Sequence, residues 1–225
     1  MTVTQETPTL RVVLSDVNAK VVQAWLSAFA DTPGVEIVKG SLLNQQVDAW
    51  VSPTNSLGRM DGGVDAVVKR HLGAGIQLRV QQAIRAQFGA TLPIGGAVCV
   101  PSGAAVPKYL ISTPTMHGSA ENVRETLNVA LACAAAFQAV HMQNAAEPGS
   151  ITSVALVGMG AATGKVPPQV CANLMWAGYT LFGEHSFDDY DELRATVQDQ
   201  LGDIDTRPRT GRIRITPPAP RTSRR

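Results

Sequence analysis

Short apolar runs separated by longer amphipathic stretches predict strands that alternate with helices in the first part of the chain. Residues 10–14, 35–38 and 47–51 are rich in valine and are each predicted to form a strand. Asp16 and Asn18 follow the first strand as helix-start signals, and the next segment keeps its apolar side chains on one helical face. A helix is therefore expected between the first two strands, whereas a short connection joins the second to the third.

The same criteria predict further strands and helices in the rest of the chain. The predicted strands cover residues 97–100, 109–113 and 151–157. The predicted helices cover residues 64–72, 76–88, about 121–140, 167–182 and 186–201. This alternation is typical of a three-layer α/β/α fold with a mixed central sheet, and we expect one domain over residues 1–201.

The composition is that of an ordinary soluble protein with one core. The chain has 225 residues, of which 44% are hydrophobic and 16% charged. No apolar run is long enough to span a bilayer, and the first ten residues lack the features of a signal peptide, so we expect a cytoplasmic protein without a membrane partner. Its cysteines are odd in number and widely spaced, which favours reduced thiols: Cys99, Cys133 and Cys171.

A net charge of +1 conceals a basic tail. Of the 19 basic residues, seven arginines lie in residues 206–225, and so 12 basic and 18 acidic groups remain in residues 1–205. Because residues 202–225 are also rich in proline and poor in large apolar groups, we expect a flexible tail. Nucleic acid is a possible partner only through this tail, although its lack of interleaved aromatics favours a solvated terminus.

A glycine-rich loop at residues 158–165 follows a predicted strand and precedes a helix. Met159 and Val166 stand where a phosphate-binding P-loop needs Gly and Ser or Thr, and Thr163 stands where a dinucleotide fingerprint needs Gly. The small residues can still leave backbone amides free to hold a phosphate. A purely structural glycine loop is the alternative interpretation.

A second glycine-bearing loop lies inside residues 47–72. Gly62 and Gly63 precede a predicted helix, whose positive end favours an anion. Asp65 falls in its first turn, where the helix dipole is expected to keep the carboxylate ionised and able to accept a hydrogen bond from a sugar hydroxyl or a water. Taken singly, Asp65 could only stabilise the helix start and Asn55 could only be a turn residue.

Together these segments resemble the macrodomain family. VDAWVSPTN followed by GGVDAVV is similar to the family's valine-asparagine-alanine-alanine-asparagine run, glycine cluster, valine and acid. Asn55 matches the second asparagine, Gly62 and Gly63 the glycine cluster, and Asp65 the acid of the hydrolytic branch. TSVALVGMGAATGKVPP resembles the family's second phosphate loop, and the resemblance extends over residues 35–182.

Four departures from the family pattern stand out. Ser41 follows Gly40 where macrodomains usually carry the aspartate that recognises the adenine amine. Ser52 replaces the first asparagine, and Ala162 or Thr163 stands where an aromatic residue usually lies near the distal ribose. Met60 and Asp61 interrupt the run of glycines.

The resemblance implies binding of ADP-ribose and hydrolysis of an ADP-ribosyl linkage in a modified macromolecule or a small ester. It implies no metal and no cofactor, with Asn55 and Asp65 as catalytic residues. The implied ligand-binding residues are Ser41, Leu42, Gly62, Gly63, Val64, Gly158, Gly160, Ala161, Ala162, Thr163 and Gly164. Two alternatives remain open: a reader that binds ADP-ribose or NAD without cleaving it, and a structural module that makes contacts through the basic tail.

The histidines do not suggest a metal site. His71, His117, His141 and His185 do not share metal-ligand spacing, and we interpret them as surface or packing residues. Trp25, Trp50 and Trp176 fall on apolar faces of predicted elements and are expected in the core.

Overall fold

The structure, a computed structural model, describes residues 10–184 and 187–202. The strands are β1 (Arg11–Asp16), β2 (Val35–Lys39), β3 (Ala49–Asn55), β4 (Val98–Pro101), β5 (Tyr109–Met116) and β6 (Ser153–Leu156). The helices are α1 (Ala19–Ala28), α2 (Gly63–Leu72), α3 (Gly75–Phe88), α4 (Asn128–Ala146), α5 (Pro168–Glu184) and α6 (Tyr190–Leu201), and a short 3-10 turn covers Leu42–Asn44. Most of the predicted tail and His185 lie outside the described residues.

The six strands form one mixed sheet in the spatial order β2-β1-β6-β3-β5-β4. β1 is parallel to β2 and β6, β3 is parallel to β6 and β5, and only the pairing of β4 with β5 is antiparallel. The carboxyl ends of five strands therefore lie at the same edge of the sheet, which is where parallel α/β sheets place their ligands.

Helices cover both faces of the sheet. Val12 and Leu14 of β1 pack into the core beneath α1, α4, α5 and α6, whereas Val13 packs into the core beneath α2 and α3. This division follows from the strand geometry, because successive side chains point to opposite faces. The three-layer fold with a mixed sheet is the one predicted. None of the described helices is long and apolar enough to cross a membrane.

The long helix α4 begins at Asn128, so the predicted start near residue 121 was wrong. Residues 121–127 instead form a loop, in which the Val123 amide donates to the Gly164 carbonyl at 3.0 Å. The Val123 side chain is 1% exposed, so this loop is fixed against the glycine loop at residues 158–165. This long-range contact holds residues 121–127 in a loop, where the sequence predicted the first turns of the helix.

Two strands run further than their apolar patterns indicate. β3 extends to Asn55 and β5 extends to Met116, because polar residues in both strands are buried and continue the backbone pairing. Ser52 pairs in register with Ser112, and both side chains are fully buried. Asn55 is thus the last residue of a strand, which brings it to the carboxyl edge of the sheet.

Candidate nucleotide site

A cavity of about 390 Å³ opens at the carboxyl edge of the parallel strands. Its wall includes the last residues of β1, β3 and β5 and the segments that follow β2 and β6. The volume is in the range of small-molecule sites, and the position is the one expected for a ligand of a parallel α/β sheet.

The structure brings almost all of the predicted site residues to this one cavity. Those on its wall are Ser41, Leu42, Asn55, Gly62, Gly63, Val64, Asp65, Gly158, Gly160, Ala162, Thr163 and Gly164. Ala161 is the exception: its partly buried side chain packs against the core below the loop. Its predicted contact with a ligand runs through the backbone amide and stays a prediction.

The first glycine loop leads into the N-terminus of α2. Gly62 caps the helix without a side chain, and Gly63 has a φ of 54°, a conformation that favours glycine. A Cβ on Gly63 would lie 3.5 Å from Oγ1 of Thr163, so the two glycine loops approach each other closely. Amides at the helix start and in the facing loop can therefore converge on one ligand.

The second glycine loop is closed by its own backbone hydrogen bonds. Val166 donates to the Gly160 carbonyl at 3.1 Å, and Lys165 donates to the Ala162 carbonyl at 3.3 Å. A Cβ on Gly164 would lie 2.8 Å from the Gly160 oxygen, so the loop needs glycine there. Within the part of the chain that the structure covers, the amides of residues 160–164 have no protein acceptor and can donate to an anion.

Asp65 is buried at the cavity wall and is only 5% exposed. Ser52 Oγ donates a hydrogen bond to Asp65 Oδ1 at 2.5 Å. Burial nevertheless raises the pKa of Asp65 to about 7, well above its ordinary value of 3.8. The expectation that the helix start keeps this carboxylate ionised was therefore wrong below about pH 7, because the desolvation that comes with burial outweighs the hydrogen bond from Ser52.

The Asn55 side chain organises the first loop. Its Oδ1 accepts hydrogen bonds from the amides of Leu57 and Arg59 at 3.1 and 3.3 Å, and its Nδ2 donates to the Arg59 carbonyl at 2.9 Å. These contacts are typical of a turn residue, which was the alternative interpretation of Asn55 from the sequence. One Nδ2 hydrogen remains beyond these bonds, on a side chain that lines the cavity.

Several cavity residues were not predicted. Asp16 was interpreted only as a helix-start signal, whereas Asn18 is the residue that caps α1 and Asp16 is the last residue of β1. The cavity is also lined by Ser15, Val17, Thr115, Met116, Ser119 and Ala120. These residues all lie at or after the end of a predicted strand, as the two glycine loops do, and that position is the sequence feature that indicates them.

No group of three or more His, Cys, Asp or Glu side chains close enough to hold a metal ion occurs among the described residues. The His71 ring packs against the Trp50 ring at a tilt of 47°, with ring centroids 5.5 Å apart. Trp25 and Trp50 lie in the core, as predicted, and Trp176 is partly buried against it.

The mixed sheet and the cavity between two glycine loops place this chain among the α/β domains that bind a ligand at the carboxyl edge of a parallel sheet. Residues 51–175, more than half of the chain, match the family described as Macro domain, and the chain belongs to this family. An uncharacterized protein of Aquifex aeolicus is 34% identical over 146 residues, which cover 63% of this chain and 78% of that protein. A macro domain-containing protein of Streptomyces griseus is 30% identical over 90 residues, which cover 39% of this chain and 51% of that protein.

Solved macrodomains share the fold. The Oceanobacillus iheyensis macrodomain with ADP superimposes with a TM-score of 0.51 at 15% identity, covering 73% of this chain and 90% of that chain. A glycine-to-valine mutant of the same protein with ADPR gives a TM-score of 0.52 at 15% identity, covering 73% and 91%. At this identity the likeness establishes the common fold.

Proposed function

We propose that this macrodomain binds ADP-ribose in the cavity and hydrolyses an ADP-ribosyl linkage there. The observation that carries the proposal is the position of Asp65, a buried carboxyl on the wall of a cavity that two glycine loops enclose. The ligand class is supported by the Oceanobacillus iheyensis macrodomain, which has been solved with ADP and with ADPR.

The diphosphate is assigned to the two glycine loops. The N-terminus of α2 carries a partial positive charge, and the amides of residues 160–164, which have no acceptor among the described residues, supply further donors. Gly63 and Thr163 stand close enough for both loops to contact one diphosphate. Backbone amides suit this task because they are fixed before the ligand arrives.

Asp65 is assigned as the general base. A carboxyl with a pKa of about 7 can take a proton from a water molecule or a ribose hydroxyl at neutral pH, which the ordinary value of 3.8 makes less favourable. Water then adds to the anomeric carbon as the bond to the leaving group breaks, and the leaving group gains a proton. Asn55 holds the loop between Leu57 and Arg59 in place and offers its remaining N–H to a ribose hydroxyl.

Calorimetry with ADP-ribose, ADP, AMP and NAD tests the binding half of the proposal. We expect ADP-ribose to bind more tightly than AMP, because ADP-ribose, unlike AMP, fills both the diphosphate and the distal ribose positions. Equal or absent binding of all four nucleotides would contradict the assignment of the cavity.

Turnover of ADP-ribose linked to acidic, serine, arginine and nucleic-acid acceptors tests the catalytic half. Asp65→Asn keeps the size of the side chain and can still accept the hydrogen bond from Ser52. It should therefore bind ADP-ribose but lose at least about a hundredfold in rate. Asp199→Asn, at an exposed carboxylate of α6, is the matched control and should turn over like the wild type. Equal rates for wild type and Asp65→Asn on every cleaved substrate would remove Asp65 from the mechanism.

A non-catalytic reader is the second candidate. The bonds of the Asn55 side chain to its own loop favour it, because they leave only one amide hydrogen for a ligand. The small residues Ala162 and Thr163 favour it as well, because neither can stack on a sugar. Tight binding of ADP-ribose without release of product from any linkage would select this function.

A further inference from the structure

One face of β3 presents two hydroxyl groups to the first turn of α2. Because successive side chains of a strand alternate, Ser52 and Thr54 lie on the same face as Trp50, which packs into the core beneath α2 and α3. Asp65 lies in the first turn of α2, which packs against β3. Ser52 Oγ donates to Asp65 Oδ1 at 2.5 Å. A second hydroxyl therefore stands on the same side of the carboxyl.

The Thr54 hydroxyl has no partner at hydrogen-bonding geometry among the described residues. Thr54 is nevertheless only 2% exposed and lines the cavity. A buried hydroxyl without a partner costs free energy, so such a group calls for a functional explanation. Burial raises the pKa of Asp65 to about 7, whereas Ser52 and then Thr54 lower it. The Thr54 hydroxyl thus lies beside the carboxyl without a fully formed bond to it.

We propose that Thr54 is a positioning residue, whose hydroxyl turns to donate to the Asp65 carboxylate when this base is ionised. The inference rests on the proposed function, in which Asp65 is the base. An ionised carboxylate only accepts hydrogen bonds, and its bonds to hydroxyl donors are stronger than those of a neutral carboxyl. Ser52 and Thr54 together then orient the carboxylate and stabilise the form that can take a proton from water.

The hydroxyl pair distinguishes this chain from the family pattern. Ser52 stands where that pattern has its first asparagine, and Thr54 stands where it has its second alanine. Alanine has no group that can donate to a carboxylate. The second donor is therefore a property of this chain.

Charged groups on neighbouring segments also surround Asp65. Asp61, in the loop before α2, raises the pKa of Asp65 by charge repulsion, and Arg59 and Asp16 line the same cavity. β3 carries no ionisable side chain. The basic groups of α2 and α3 are Lys69, Arg70, His71, Arg79 and Arg85. All these charges stay the same when Thr54 is replaced, so a change in the Asp65 titration reports the loss of the hydroxyl.

NMR of the carboxyl carbon measures the pKa of Asp65 directly, and Asp65→Asn identifies its signal. Thr54→Val nearly keeps the shape of the side chain but removes the hydroxyl. We expect it to raise the pKa by about one unit, because a hydrogen bond to a charged group is worth roughly tenfold in an equilibrium constant. Thr54→Ala removes the same hydroxyl and gives the same comparison if valine does not fit.

Two variants are matched controls. Thr54→Ser keeps the hydroxyl and should titrate like the wild type. Ser112→Ala removes another buried hydroxyl without a partner among the described residues, on the adjacent strand and outside the lining of the cavity. It should also leave the pKa of Asp65 unchanged.

The pH dependence of hydrolysis gives a second measurement. In Thr54→Val the inflection of kcat/KM should move to higher pH by the same amount, so that the rate lost at neutral pH is recovered at alkaline pH. A merely structural role would lower stability or raise KM without moving the inflection.

The outcomes separate this inference from the proposed function. If Thr54→Val and Thr54→Ala titrate like the wild type, or if Thr54→Ser titrates like Thr54→Val, the role of the hydroxyl is overturned while Asp65 keeps its proposed role. If the Asp65 titration shifts as expected but the wild type cleaves no linkage, the proposed hydrolysis fails and the hydrogen bond from Thr54 stands.

Discussion

Replacing Asp65 by asparagine should make the protein more stable at alkaline pH as it removes the proposed base. The wild-type carboxyl is buried, and its pKa is raised from 3.8 to about 7 in the folded state. Its protonated form is therefore favoured by folding, and the stability that it contributes is lost as the pH rises through about 7. Asparagine is neutral at every pH, occupies the same volume and still accepts the hydrogen bond from Ser52.

The size of the effect follows from the two pKa values. Raising the pKa from 3.8 to about 7 corresponds to about 4 kcal/mol, since each tenfold change in the dissociation constant is worth about 1.4 kcal/mol. Part of this free energy of stabilisation is already lost at pH 5, because the Asp65 carboxyl of the unfolded chain is mostly ionised there. Between pH 5 and pH 8 the wild type should therefore lose about 2 to 3 kcal/mol relative to Asp65→Asn.

Urea denaturation at a series of pH values measures this difference. The free energies of unfolding of wild type and Asp65→Asn should diverge from pH 5 to about pH 7 and then keep a constant difference up to pH 8, while Asp199→Asn should follow the wild type within about 0.5 kcal/mol. Parallel curves for wild type and Asp65→Asn over this range would refute the reasoning, because they would mean that the folded protein does not raise the pKa of this carboxyl.

Three further predictions concern the rate, the second loop and the cysteines. Hydrolysis should accelerate as the pH rises through about 7, because Asp65 acts as a base only when ionised, and a flat profile of kcat/KM would contradict this role. Gly164→Ala should destabilise the fold by about 1 to 3 kcal/mol and weaken ADP-ribose binding in thermal-shift assays, since the new Cβ meets backbone. Gly183→Ala, in an exposed helical position with open space, is its control. A thiol reagent should react only slowly before unfolding with the three cysteines, whose thiol pKa values are raised by burial: Cys99, Cys133 and Cys171.

The apolar periodicity predicted most elements closely, because it follows from local geometry. The helix expected at residues 76–88 is α3, and the strand expected at residues 35–38 is β2. Prediction failed where long-range contacts override local pattern. The residues before Asn128 are helix-compatible, yet the bond from Val123 to Gly164 holds them in a loop. Ser52 interrupts an apolar run, yet its pairing with Ser112 continues β3.

The sequence by itself determined that the two glycine loops meet at one cavity, because loops that follow parallel strands gather at one edge of the sheet. Only the tertiary structure decided the surroundings of Asp65 and Asp16, two of the acids that line the cavity. Asp65 is raised to a pKa of about 7 by the burial that packing imposes, which no neighbouring residue in the sequence reveals. Asp16 is oriented by Gly158, 142 residues away, because β1 and β6 lie side by side only in the folded sheet.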